Sequence, residues 1–573
     1  MAATISEVLA NPLLAAGDII LVHESAYSVA VAAGAPPNPN WDPLQTTYVE
    51  NLVFPPLFDV TVKVDMINPG IGNVVSIQGT GTSSVVTFST PLNTRNSLLD
   101  GFTITGGIGG FDDYINRDSG AIPVGGGIRC LGASPTIRNC TVEQNTAVLG
   151  AGIYASLGFD DEDPLLGPLI DSCTIRSNDA TGPTFGLGPD GGGVYAVHCS
   201  PEIQSTTISN NAAEINGGGV VLYNELLIDR TNGDAPYGPL VPIQPVIQDS
   251  TIADNQANDA GGGVFAFVRV NALIERCSVL SNTASRPSFG GGIGGGFYWE
   301  NCTMELITCD VRGNKAGHSG AGLQIDGEGL QGASPSSLTH CTIARNETID
   351  PGVGTIGGGV GCSVNMQNFS GMTKFENCLI VNNEAGSGGG LHIMDASASF
   401  QNCTVSQNMA TDASSDGFAG GVYYNQATAL TGIQFQDSIL DGNLYTQPGT
   451  PLNPWDVDFM AIGAATPPSI TFCVMSKARQ YLLFKNSPGN LVALPLFASG
   501  PALTHFPVNR FYLSHTPEQG TTSRAYNAGH TTINAMLAVD GMRCRTPLTS
   551  LLVDVGLVDI GFHYPNYPLV GQP

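Results

Sequence analysis

Four groups of residues in this chain are of types that do chemistry. Gln324, Gly361 and His392 occupy equivalent positions in successive repeats, with Asp326 and Asp395 close by in sequence. An imidazole beside carboxylates can pass a proton, and the glycine would leave a hollow for a substrate. The bland alternative is a histidine that is merely exposed on a strand. Arg312, Lys315 and His318 gather in "VRGNKAGHSG". A polysaccharide lyase needs a basic proton abstractor and a cation to neutralise the sugar carboxylate, and this trio contains both; the alternative is a set of solvated turn charges. In "GFDDEDPLLGP", Asp160, Asp161, Glu162 and Asp163 offer the oxygen ligands that calcium prefers. Their spacing matches no defined loop motif, so a solvated acidic tip competes with a cation site. The fourth group is aromatic: Tyr154, Tyr195, Phe265, Tyr298 and Tyr423. These rings could stack on one another as packing, or form a platform for sugar rings or a partner.

The elements that position these residues come from a repeated word. "CTVEQN" at 140 returns as "CTIRSN", "TTISNN", "STIADN", "CSVLSN", "CDVRGN", "CTIARN", "CLIVNN", "CTVSQN" and "SILDGN". The sixth residue is Asn in every copy, and successive copies lie 25 to 44 residues apart. A glycine word such as "GAGIYA" or "GGGVYA" usually follows. Each period accommodates three short strands with alternating apolar residues, as in "GGGIRCLG", "SPTIRN" and "CTVEQN". Insertions of variable length can loop out of a coil without disturbing its neighbours. Three strands per turn, stacked like on like, predict an all-β parallel β-helix, a solenoid.

The word then reads as mechanics. In "CTV" the Cys and Val point inward and the Thr outward. The Asn suits a turn that needs a left-handed residue, and its amide can bond the equivalent Asn of the next coil in a buried ladder. The middle residue after each glycine word should face outward, and the five aromatic residues above all hold that position. Thirteen cysteines are present, an odd number. Side chains running in parallel are poorly placed for disulfides, so a stack of thiols is expected, with Ser and Thr as substitutes. No pattern of zinc ligands occurs.

Composition limits the partners. Gly accounts for 73 of 573 residues, charged residues for 12%, and the formal net charge is -27. Such a surface repels nucleic acid and anionic membranes, and leaves cations or neutral glycans as easier partners. No apolar run is long enough for a membrane helix, and "MAATISEVLA" lacks the pattern of a signal peptide. Most of the five Asn-x-Ser/Thr matches fall inside strand words, a poor setting for glycosylation.

The glycine and x-x-x-N words resemble the GGA[I/V/L] and FxxN repeats of polymorphic outer-membrane proteins. They are also similar to those of right-handed, pectin-lyase-like β-helix proteins of bacterial surfaces. "TISEVLANPLLAAGDIILVHESAYS" resembles the capping helix and first strand of that group. "FYLSHTPEQGTTSRAYNAG" and "VDIGFHYP" resemble the closing words of large secreted β-helix proteins, with Arg524 and Asn527 departing from the usual Pro and Asp. The resemblance implies a single-stranded right-handed β-helix along nearly the whole chain. Its expected parts are a helical cap and first strand over 1–30, coils over 31–444 and an irregular closing region over 445–573. It also implies an extracellular or cell-surface location. No motif of the pectate lyases, polygalacturonases or alginate lyases maps onto this chain. Two functions remain open: a structural or adhesive surface protein that can assemble laterally with further subunits, and a polysaccharide lyase or glycoside hydrolase.

Overall fold

The computed structural model describes residues 5–11, 14–23, 47–65, 75–111, 122–156, 166–183, 188–224, 241–286, 291–327, 336–349, 360–363, 372–411, 419–425, 432–445, 455–456, 459–462, 468–471, 473–475 and 491–492. The closing words at 511–529 and 558–565 lie outside them. The chain forms two compact units, the first of residues 1–258 and 262–272, the second of 259–261 and 273–573.

Within each unit the repeat becomes a coil of four strands rather than three. One coil of the first unit runs through Ile153–Ser156, Leu166–Asp171, Thr174–Arg176 and Asp179–Ala180. These belong to four parallel sheets, called here the glycine-word, middle, cysteine-word and short sheets. Residues of like type meet: Tyr154 pairs with Tyr195, Ile170 with Ile203, Thr174 with Thr207 and Ala180 with Ala213. The second unit repeats the plan, with Val311 on Ile343 and Ile343 on Ile380. Register survives the uneven spacing because the length differences fall between strands. The short strand has only two residues, too few for alternation to reveal it in sequence.

The Asn ladder is present in both units. In the first, the Nδ2 amides of Asn145, Asn178 and Asn211 donate to Oδ1 of the next Asn at 2.9–3.0 Å. Their backbone N–H groups reach the same oxygens at 3.0–3.1 Å. In the second, Asn282, Asn314, Asn346, Asn383, Asn408 and Asn443 form an equivalent run, with amide bonds of 2.9–3.0 Å. Each Nδ2 of Asn178 and Asn314 also donates to a carbonyl of the preceding coil, Val142 or Val279, at 2.9 Å. All these side chains are buried. A buried amide is tolerated only when its hydrogen bonds are made, and here each coil supplies them to the next.

The expectation that the ladder Asn itself takes the left-handed conformation is corrected. The left-handed residue is the one before it: Gln144 (φ 56°), Ser177 (φ 54°), Asn210 (φ 55°) and Asp254 (φ 55°) in the first unit. A second left-handed residue precedes the cysteine position, as at Asn139 (φ 51°), Ser172 (φ 55°) and, in the second unit, Arg276 (φ 52°) and His340 (φ 56°). Each reversal turns the following side chain, Cys or Asn, into the interior. Arg is a poor left-handed former, so stacking must offset a local cost of order 1–3 kcal/mol at Arg276. At the next corner the glycine at the third position of the word allows a close approach. A Cβ on Gly152 would lie 2.4 Å from the carbonyl oxygen of Gly193 and 3.0 Å from the Asn178 amide.

The cysteine column is a stack of thiols, and the eleven cysteines whose side chains the structure describes are buried and form no disulfide. The column also makes hydrogen bonds. Thr206 Oγ1 accepts from the N–H of Cys173 at 3.1 Å, and Cys403 Sγ accepts from the N–H of Cys378 at 3.5 Å. Burial is the first cause that pushes the Cys309, Cys341 and Cys378 thiols well above their ordinary range, so they remain protonated. Deeper in the second unit Phe375, Phe400 and Phe435 stack with centroids 4.5 Å apart.

At the start of the first unit, helix Ile5–Leu9 packs on strand Leu52–Val53. Its first N–H groups, of Ile5 and Ser6, donate to the Glu50 carboxylate at 3.1 and 2.9 Å, which satisfies donors that a helix start leaves open. Strand Ile19–His23 then pairs in parallel with Thr61–Asp65. In the second unit, Phe459–Ile462 and Ser469–Thr471 add in parallel register to Val422–Asn425 and Ile433–Gln436, so coil geometry continues past residue 444.

Candidate functional site

The outward face of the glycine-word sheet carries most of the candidate residues, and it differs in kind between the two units. In the first it is an aromatic stack. Tyr154 and Tyr195 lie 5.8 Å apart at 14°, Tyr195 and Tyr223 6.4 Å apart, and Tyr223 and Phe267 5.4 Å apart. Phe265 joins Phe267 at 6.0 Å. The rings leave the core side of the sheet as alternation requires, yet they are covered: Tyr154 is 0% and Tyr195 1% exposed. Burial, followed by Asp190 and Tyr223, pushes the Tyr195 hydroxyl well above its ordinary range. Neither Tyr154 nor Tyr195 offers an open ring face.

In the second unit the same face is polar. Tyr298 pairs with Gln324, and Glu300 with Asp326, on adjacent parallel strands. The Tyr298 hydroxyl donates to Glu300 Oε2 at 2.8 Å, and Gln324 Nε2 donates to Asp326 Oδ1 at 2.7 Å. Burial, then the charges of Asp326 and Glu300, push the Tyr298 hydroxyl far upward, so it stays a donor. Gln324 and Gly361 are partners in the next pairing, then Gly361 and His392, then His392 and Tyr423. The hollow expected at Gly361 is filled. A Cβ there would meet Oε1 of Gln324 at 2.4 Å, so the amide leans across the space the glycine leaves.

His392 is buried and stacks on the half-buried Tyr423 at 4.9 Å and 9°. Burial, then the nearby His318, lowers its pKa to about 4. It is therefore neutral at neutral pH. Asp395 sits at the corner beyond Met394, with φ 47° and its N–H on the Asn425 carbonyl at 2.9 Å. Its charge acts on Tyr424, whose hydroxyl is pushed up to about 12, chiefly by burial. The structure thus joins Gln324 to Asp326 and His392 to Tyr423, and places Asp395 at a different corner.

The basic trio is divided among elements. Arg312 lies on the cysteine-word strand Asp310–Arg312, in an ion pair with the largely buried Asp310. Lys315 lies on the short strand Lys315–Ala316 and faces Glu347 at 3.5 Å. His318 follows in the turn, its N–H on the Gly292 carbonyl at 2.8 Å. Both cations of a uronate-neutralising pair are already opposite carboxylates, on two different sheets. Asp160, Asp161, Glu162 and Asp163 lie outside the described residues. Among the described residues, no group of three or more His, Cys, Asp or Glu side chains could hold a metal ion. No helix among them is long and apolar enough to cross a membrane.

Glu300 is the residue that sequence reasoning overlooked. Alternation places two outward positions after each glycine word, and only the first was read as a stripe. The second holds Tyr223, Phe267, Glu300, Asp326, Met394 and Asn425. Reading both would have exposed the longer aromatic stack and the carboxylate pair.

No curated protein matches the chain in sequence. The family model described as a right handed beta helix region matches residues 245–443. That match, with parallel in-register pairing in both units, makes the fold a right-handed parallel β-helix.

Proposed function

We propose that the protein is a structural and adhesive β-helix of the cell surface or extracellular space. Its coils serve as a scaffold, and its outward faces meet polysaccharide or neighbouring subunits. The observation that supports this reading best is the covered aromatic stack of the first unit. A platform for catalysis or processive binding would leave those rings open, whereas a scaffold gains from burying them. Stacked pairs contribute roughly 0.5–1.5 kcal/mol each beyond the apolar area they remove from water. The acidic surface, with net charge -27, favours neutral or cationic partners over nucleic acid.

The test is a product screen. Uronic-acid polymers are assayed for unsaturated ends and neutral glycans for reducing ends, over long incubations with purified protein. A scaffold releases neither. A second reading, a carbohydrate-active enzyme, draws on one feature: Glu300 and Asp326 stand side by side beneath a tyrosine hydroxyl. Turnover abolished by Glu300→Gln or Asp326→Asn would establish that reading in place of the first.

A further inference from the structure

The outward face of the cysteine-word sheet changes between the two units in both residue type and burial. In the first unit its leading column is Thr141, Thr174, Thr207 and Thr251, paired coil on coil, and none of them is buried. In the second unit the equivalent column runs Thr342, Leu379, Thr404 and Ile439, with Ala344 and Val381 beside it. Alternation turns these residues away from the core. Even so, Leu379 is 0% and Ile439 1% exposed, and Ala344, Val381 and Thr404 are buried as well. The corner leading into these strands follows suit. Its left-handed residues Asn139, Ser172 and Ser205 are exposed in the first unit, whereas His340, Asn377, Asn402 and Asp437 are buried in the second. Across that corner the Asn377 amide donates to His340 Nδ1. An apolar strip flanked by a polar row is what an extended peptide covers, with side chains on the strip and polar groups on the row.

The burial arises within one chain, and topology narrows which part of it lies there. Middle and cysteine-word strands are joined by two-residue turns, as at 377–378 and 402–403, with no room for an insertion. The longer stretches 328–335, 364–371 and 426–431 join glycine-word to middle strands. To reach the strip they would have to cross the middle sheet, where Glu305, Lys374 and Gln434 stay exposed. Stretches 350–359 and 412–418 join short to glycine-word strands, and would have to cross the short sheet past the exposed Lys315. Residues 476–490 connect two paired strands of the cysteine-word sheet itself. That leaves 493–573, which belongs to the second unit. It contains "VDVGLVDIGF" (553–562), two words in which apolar residues alternate with Asp and Gly, the pattern of a strand with one apolar face.

We propose that the outward cysteine-word face of the second unit, centred on Leu379, Val381 and Ile439 with His340 and Asn377 at its edge, is the docking surface for the chain's own closing segment, residues 493–573, with 553–562 laid extended over the apolar strip. This face is thereby closed to neighbouring subunits, while the threonine face of the first unit is not. The proposal does not depend on the scaffold reading. Two measurements on the full chain test it: hydrogen–deuterium exchange reads the segment, and hydroxyl-radical labelling reads the face. In the parent, the amides of 553–562 should be protected and Leu379 and Ile439 should escape labelling. Leu379→Asp and Ile439→Asp each place a charge on the strip and should speed exchange over 553–562 at least tenfold. The ladder amides of Asn314 and Asn346 should stay protected in both. Thr174→Asp, at the equivalent position of the first unit, should leave 553–562 unchanged. The reciprocal double change, Val558→Asp with Ile560→Asp, alters no coil residue and should raise labelling of Leu379 and Ile439 at least tenfold. Free exchange over 553–562 in the parent would overturn the proposal, as would exchange that neither charged variant alters. So would unchanged labelling in the reciprocal variant, which decides the matter should Leu379→Asp unfold the coils. Labelling of Leu379 that rises when the parent is diluted would give the face to a second copy and overturn the proposal equally. None of these results bears on the product screen, which tests the scaffold reading separately.

Discussion

At the scale of single residues, the ladder Asn carries the largest testable effect. Asn314 Oδ1 takes bonds from both the N–H and the side-chain amide of Asn282. Asn314→Leu takes that acceptor away from both buried donors, at about 1–3 kcal/mol in all. Urea unfolding should show a drop of that size, and an unchanged midpoint would remove the ladder from the account. Cys378→Ser should be nearly neutral, because Ser250 and Ser438 hold the same position and accept the same backbone bond, at 3.1 Å in each case. His392 gives a pH signature. Its folded pKa, about 4, lies below the ordinary 6.5. Its contribution is therefore complete above pH 6.5 and is lost as pH falls toward 4, by about 2–3 kcal/mol at pH 4.5. His392→Phe, which retains a ring against Tyr423, should remove that share of the acid destabilisation; equal pH slopes in variant and parent would contradict it. The ladder was legible because one residue type recurs at one place in every copy. The left-handed turn was misplaced by one position because Asn suits it by type yet is needed inward for the ladder, while the residue before it varies from Gln144 and Ser177 to Arg345 and takes the turn under tertiary constraint.

At the scale of elements, a strand's two faces were legible and its exposure was not. Alternation placed Tyr154 and Tyr195 outward, in register, and their rings do stack. Periodicity says nothing of what covers a face, so the difference between a platform and packing required the fold. The joint change Tyr154→Ser with Tyr195→Ser now reads as a core lesion. It should cost at least about 3 kcal/mol, in the range of large-to-small changes at buried aromatics. A thermal scan that fails to move would mean the rings contribute nothing. The short sheet illustrates the other limit: strands of two residues, such as Thr146–Ala147 and Asp179–Ala180, carry no readable period. The polar row was half legible. Gln324, Asp326 and His392 stood out by type, whereas Glu300 needed the second outward position to be counted.

At the scale of the molecule, both units are built by one rule: repeat the coil, keep the register, and place length variation between strands. The rule was readable from the repeated word, whereas the assignment of chemistry to one unit was not, because it depends on which side chains the sheet sets side by side. The central claim is that the word is the mechanical part of the fold and not a site copied many times. Hydrogen–deuterium exchange on the intact protein tests it most directly. Backbone amides of Asn178, Asn211, Asn314 and Asn346 each donate to a buried side-chain oxygen. They should exchange only through the least frequent openings, and at the same rate with or without saccharide. Rapid exchange at these amides, or protection that appears only when ligand is added, would contradict the account.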